Sequence, residues 1–275
     1  MLRTLSLAVL ASFAATVALA QEAPTADDLF DALGMPEIIQ VMALEGENYG
    51  SDLAASMFPG RSDSDDWQQT VEIIYDAGRM EQNVRAAFAE ALEGADIAPM
   101  YQFFSSELGQ QIITLEVSAR EAMLDESVDE ASREVAAAVV DEGGPRVKLI
   151  DAFIEVNDLI ERNVVGGMNS NFAFYLGLSD GGGLQVPMSE ADLLRDVWSQ
   201  EPQIRLDTTE WLYAFLLLAY QPLGDEDLAA YIAFSESEAG QDLIRASFSA
   251  YNEMFDEISH AMGLAASRYV GGQEL

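Results

Sequence analysis

A single histidine, His260, and no cysteine stand in this chain of 275 residues. Those two counts decide most of the chemistry open to it. Thiol catalysis and thiolate metal sites need a cysteine and are excluded. Any Ser-His-acid relay would have to run through His260, and no G-x-S-x-G turn surrounds a serine. Glu257-Ile-Ser-His260 has the spacing that puts a carboxylate and an imidazole on one helical face. A di-iron bundle needs that motif twice, and there is no second histidine, so Glu257 reads as a chance helical neighbour of His260. The stretch SDSDDW, residues 62–67, is acidic but lacks the glycine and the distal glutamate of a calcium loop. Gly166-Gly167 and the glycines at 181–183 lack the Lys-Ser/Thr that completes a phosphate loop. Met35, Met42, Met57 and Met80 fall at helical core spacings and read as core fillers, not copper ligands. No metal or cofactor is expected. Carboxylates abound, so composition leaves a two-acid hydrolase open, but no pair of acids stands out.

The elements that would position any such group announce themselves by repetition. FFSSELGQQI at residues 103–112 returns as FSESEAGQDL at residues 234–243. Phe103, Ser106, Glu107, Gly109 and Gln110 match Phe234, Ser237, Glu238, Gly240 and Gln241, each pair 131 residues apart. Trp67 with Trp198, Leu92 with Leu223 and Asp96 with Asp227 keep that spacing. LFDA at residues 29–32 matches LIDA at residues 149–152 with a spacing of 120, which asks for eleven extra residues in the later half. The Gly-rich, Pro-ended loop SDGGGLQVP, residues 179–187, is the expected insertion. Two long copies imply tandem domains and not a solenoid.

The pattern is helical throughout. Leu108, Ile112, Leu115, Ala119 and Met123 form one apolar stripe, and Ala239, Leu243, Ala246, Ala250 and Met254 form another at the same positions of the later copy. Thr25 to Asp28 and Ser189 to Asp192 resemble capping boxes, and Pro36 suits a first helical turn. Pro59-Gly60, Gly143-Gly144-Pro145 and the glycines at 181–183 are stops. The expected fold is all-α: two tandem, sequence-related helical bundle repeats over residues 21–142 and 145–275, after a signal peptide at 1–20.

That leader reads from MLRTLSLAVLASFAATVALA: a basic Arg3, a short apolar core, and Ala18-Leu19-Ala20 before the cut. The run is short for a membrane span, and so is WLYAFLLLAY at residues 211–220. A soluble periplasmic or extracellular product is expected. Without Arg3 it carries 12 Lys plus Arg against 48 Asp plus Glu. Such a surface repels phosphate backbones and anionic lipid, so no nucleic acid and no membrane insertion are expected. The acids are spread along the chain, as on a solvated surface, and not blocked into one cation site.

The repeated phrase reads as a junction between two packed helices. Phe103 and Phe234 close a buried face. Ser106 and Ser237 cap the next helix, and Glu107 and Glu238 suit its first turn. Gly109 and Gly240 cost about 1 kcal/mol of helix propensity, which makes sense where another helix leaves no room for a side chain. An anion held on the free N–H groups of that turn is the functional alternative, and the flanking glutamates argue against it.

The phrase, followed by LEVSAR at residues 115–120 and repeated in a second helical half, resembles a family of exported bacterial proteins catalogued only as a domain of unknown function. The resemblance implies an all-helical secreted protein and brings no catalytic residues. The later copy has Ser247 in place of Glu116 and Tyr251 in place of Arg120, so an ion pair from Glu116 to Arg120 is not a shared requirement. Two function classes follow. The favoured one is a non-enzymatic binding or assembly protein of the envelope, meeting another envelope protein or a peptide. The alternative is a hydrolase using acids from different helices, which a concave pocket with converging desolvated carboxylates would favour.

Overall fold

The computed structural model describes residues 23–60, 64–184, 186 and 188–270. The expected leader and its cleavage after Ala20 lie outside these residues, as do residues 62 and 63 of the SDSDDW stretch. Twelve α-helices and no strand occur among the described residues. They are α1 (Ala26–Ala32), α2 (Met35–Met57), α3 (Asp65–Ile74), α4 (Ala77–Ala91), α5 (Ile97–Phe104), α6 (Glu107–Ala122), α7 (Glu126–Glu142), α8 (Pro145–Val156), α9 (Leu159–Asp180), α10 (Glu190–Ala219), α11 (Asp225–Glu236) and α12 (Glu238–Val270). Among the described residues no helix is long and apolar enough to cross a membrane.

Local chemistry sets the boundaries. Thr25 and Asp28 close a capping box on α1, and Ser189 and Asp192 close one on α10. Pro36 lies in the first turn of α2, where its missing N–H costs nothing. Gly143 and Gly144, both at positive φ, end α7 and let Pro145 open α8.

The two phrases make the same local structure. The Ser106 hydroxyl accepts from Gly109 N–H at 3.1 Å, and the Ser237 hydroxyl accepts from Gly240 N–H at 3.1 Å. A Cβ on Gly109 would sit 2.2 Å from the Phe103 carbonyl oxygen, and one on Gly240 would sit 2.2 Å from the Phe234 oxygen. The element that leaves no room is therefore the end of the preceding helix, α5 or α11. The glutamines act as clamps. Gln110 Nε2 donates to Phe104 O at 2.7 Å and to Ala32 O at 2.9 Å. Gln241 Nε2 donates to Ser235 O at 2.8 Å and to Val156 O at 2.9 Å. Each side chain thus satisfies carbonyls left open at two helix C-termini.

These clamps reset the register upstream. Ala32 and Val156 are the last residues of α1 and α8, and each is followed by a cap and then a left-handed residue, Gly34 at φ 61° or Asp158 at φ 52°. The structural spacing there is 124, so the match of LFDA with LIDA at 120 is displaced by about one helical turn. From Gly34 to the cap Ser64 and from Asp158 to the cap Ser189 the lengths are nearly equal. The loop at 179–187 thus adds little, and the extra length is shared between α10 and α11, the latter 12 residues against 8 in α5. Helix α10 runs unbroken through Pro202, whereas α3 and α4 are separated at Tyr75 and Asp76. Trp67 and Trp198 are not equivalent in place: Trp67 is 1 % exposed and Trp198 is 61 % exposed.

Packing is reciprocal across Gly143-Gly144-Pro145. One core joins α1 to α5, through residues such as Phe30, Ile39, Trp67, Phe88 and Met100, to the α12 stripe of Leu243, Ala246, Ala250 and Met254. The other joins α8 to α11, through Ile150, Phe153, Leu212, Leu216 and Leu228, to Leu108, Ile112, Leu115 and Ala119 of α6. The secondary faces cross over as well: Ile113 and Val117 of α6 turn to the first core, while Ile244 and Phe248 of α12 turn to the second. Each core is thus completed by a helix from the other half of the chain.

Symmetry stops beyond these stripes. α6 ends at Ala122, and Asp125 caps α7 by accepting from Ser127 N–H at 2.9 Å. At the matching place α12 continues straight through Met254, Phe255 and Asp256. The turn lets α7 fold back onto α10, while α12 extends along α9 and α4.

A candidate ligand pocket between the two shared helices

The residues singled out by repetition serve the junctions, and none of them lines a cavity of note. His260 Nε2 lies 3.0 Å from Asp180, and Glu257 accepts from Asn83 Nδ2 at 3.1 Å. Among the described residues no group of three or more metal-ligating side chains assembles.

A pocket of about 570 Å³ opens between α6 and α12, within the size range of small-molecule sites. Its polar face comes from Glu116 and Arg120 on α6 and from Ser247 and Tyr251, which stand 131 residues later on α12. Helical spacing of four brings each pair onto one face. The reciprocal packing then sets the two faces around one space. Trp211 and Phe215 of α10, with rings stacked at 5.1 Å, form an aromatic wall, and Phe248 and Phe255 of α12 add to it. Gly166 and Gly167 on α9 leave the opposite side free of bulk, and Asn163, Ser170 and Asn252 place polar groups there.

Arg120 does not reach Glu116. Its Nε and Nη2 pair in a fork with the Glu45 carboxylate of α2, at 2.9 and 2.8 Å. A fork of this kind fixes the guanidinium plane. The guanidinium carbon lies 5.8 Å from the Trp211 ring centroid. Nη1 has no hydrogen bond to any described residue.

Glu116 is held by phenols. Tyr220 donates to its Oε1 at 2.5 Å, and Tyr231 also hydrogen-bonds the carboxylate. Burial pushes the Glu116 carboxyl up to about 7, against the two tyrosine hydrogen bonds, which favour the charged form. Tyr220 and Tyr231 are themselves raised by burial and by the Glu116 charge. Burial also pushes the Tyr251 phenol up to about 12, with Arg120 pulling it the other way. The Tyr251 hydroxyl is closed off from solvent and has no hydrogen-bond partner.

The pocket therefore offers one enclosed carboxyl that titrates near neutrality, one fixed guanidinium with a free edge, and an apolar aromatic wall. Glu116 is the sole carboxylate among its lining residues, and His260 is not among them. A two-acid mechanism and a serine relay both lack a partner at this place.

Residues 78–138 match the family model described as "Uncharacterized protein conserved in bacteria (DUF2059)". The match is to α4 through most of α7, and it holds the first phrase, Glu116 and Arg120. This region is similar to that family and is wholly helical apart from its turns. No curated protein and no solved structure matches the chain.

The sequence passed over this site for a definable reason. Repetition marks the residues that recur in both phrases, and the pocket uses residues that do not recur. The available signal was the substitution of Ser247 and Tyr251 for Glu116 and Arg120 within otherwise matching stripes.

Proposed function

We propose that the chain is an exported, non-enzymatic ligand-binding protein of the bacterial envelope, built from two tandem copies of one helical unit. The pocket between α6 and α12 is its binding site. The observation that carries this reading is the clustering of Glu116, Arg120, Ser247 and Tyr251, the divergent positions of matching helices, in one aromatic-walled cavity. Duplication supplied two identical faces, and divergence made them complementary to something other than each other. The leader-like first twenty residues support export, and the acidic composition suits a solvated carrier.

The test is native mass spectrometry of the mature protein after dialysis against a small-molecule extract of envelope. The natural protein should gain a discrete mass. A variant with a bulky group at a lining position, Ser247→Trp, should not. Equal, ligand-free masses for both proteins would contradict the reading.

A further inference from the structure

We propose that the ligand of this pocket is a small aromatic carboxylate, its acid group bound by Arg120 Nη1 and Tyr251 and its ring laid against Trp211 and Phe215. The inference rests on the reading of the pocket as a ligand site. The polar groups without protein partners here lean toward donation. Arg120 Nη1 can only donate, and its plane is already fixed by Glu45 on its other edge. The Tyr251 hydroxyl is unpartnered, and the guanidinium is near enough to act on it electrostatically. Asn252, on the same helix as Tyr251, makes no side-chain hydrogen bond to any described residue. Of these groups the Tyr251 hydroxyl is the buried one; a buried donor left unmatched costs free energy, so a ligand that supplies an acceptor recovers it.

The opposing charges are already spoken for. The Glu45 carboxylate is engaged with Arg120, and Glu116 receives the Tyr220 and Tyr231 hydroxyls. An ammonium ligand would meet the Arg120 guanidinium in the same cavity, at a cost set by like charges in a low-dielectric space. The Trp211 and Phe215 rings stack on each other at an interplanar angle of 3°, which leaves an outer ring face and the ring edges as apolar surface for an aromatic group.

Isothermal titration with three probes of one shape tests the assignment: 4-phenylbutyrate, its methyl ester and 4-phenylbutylamine. The acid should bind at least tenfold more tightly than the ester, and the amine should bind most weakly. Arg120→Gln should erase the preference for acid over ester while ester binding persists. Tyr251→Phe, which keeps the ring, should reduce the preference without altering the fold and so guards against an unfolded arginine variant. Ester binding equal to acid binding, amine binding strongest, or an acid-to-ester ratio unchanged in both variants would each overturn the carboxylate assignment and leave the pocket as a site for another ligand. Failure of all three probes, with a mass gain from envelope extract retained, also overturns the assignment alone. Failure of the probes together with no mass gain overturns the binding-site reading as well.

Discussion

The rings of Phe103 and Phe234 stack on each other, with centroids 4.2 Å apart and planes 14° from parallel. The first residue of each repeated phrase therefore meets its counterpart. Tyr231 lies against Phe103 at 5.7 Å and Phe104 meets Phe234 edge-on at 5.4 Å, so the two junctions form one aromatic cluster. The phrase is written twice because two equivalent helix junctions pack against each other.

Phe103→Ala and Phe234→Ala should be coupled. A double-mutant cycle on urea denaturation should return an interaction of about 0.5–1.5 kcal/mol, the range for aromatic pairs in contact. Strict additivity would mean that the stack carries no energy of its own.

Gly109→Ala and Gly240→Ala should each destabilise by about 1–3 kcal/mol, because the added Cβ meets backbone that a rotamer change cannot move. The gain of about 1 kcal/mol in helix propensity is too small to offset that. Gly109 crowds Phe103 and Gly240 crowds Phe234, the two residues whose rings stack, so the double change should depart from additivity. Chemical denaturation midpoints check both points, and a stabilising alanine at either site would remove the close-approach explanation.

Gln110→Glu and Gln241→Glu replace a clamp donor by an acceptor facing two carbonyls. Each should cost about 0.5–1.5 kcal/mol at neutral pH, the net worth of such hydrogen bonds, with the exposed Gln110 at the lower end and the partly buried Gln241 at the upper. Thermal melts of the two variants read this directly. An unchanged melting temperature would show that water serves the carbonyls equally well.

Glu116 links the pocket to pH. Its folded pKa lies above the unfolded value, at about 7 against 4.5. Between those values the native state holds a proton that the unfolded state has lost, so this group's contribution falls as pH rises and levels off above 7. The cost at pH 8 is on the order of 3 kcal/mol. Glu116→Gln should therefore gain stability over the natural protein steadily from pH 5 to pH 7.5. A stability difference that stays flat with pH would place the carboxyl in a hydrated setting.

The sequence told much about the fold for reasons visible in particular residues. Ser106 and Ser237, Thr25 with Asp28, and Pro36 act within one helical turn, so their roles need no tertiary knowledge. The stripes at Ile112 and Leu243 revealed two buried faces but not which core each face enters, because periodicity carries no address. Spacing misled where helices differ in continuity. Trp198 rides on the unbroken α10 and faces solvent, while Trp67 precedes a break and is buried. The pocket depends on the crossing of α6 and α12 between halves, a long-range arrangement to which Arg120 and Tyr251 gave no local sign.

The reciprocal completion of the two cores is best tested by separating the halves. A protease site placed between Gly143 and Gly144 allows residues 23–143 and 144–270 to be purified apart and recombined, with circular dichroism followed on heating. Each half alone should lack a cooperative melt, because its core is missing the stripe of α12 or of α6. An equimolar mixture should regain helicity and a single transition near that of the intact chain. Two halves that each melt cooperatively on their own, unchanged by mixing, would contradict the exchange and the pocket that depends on it.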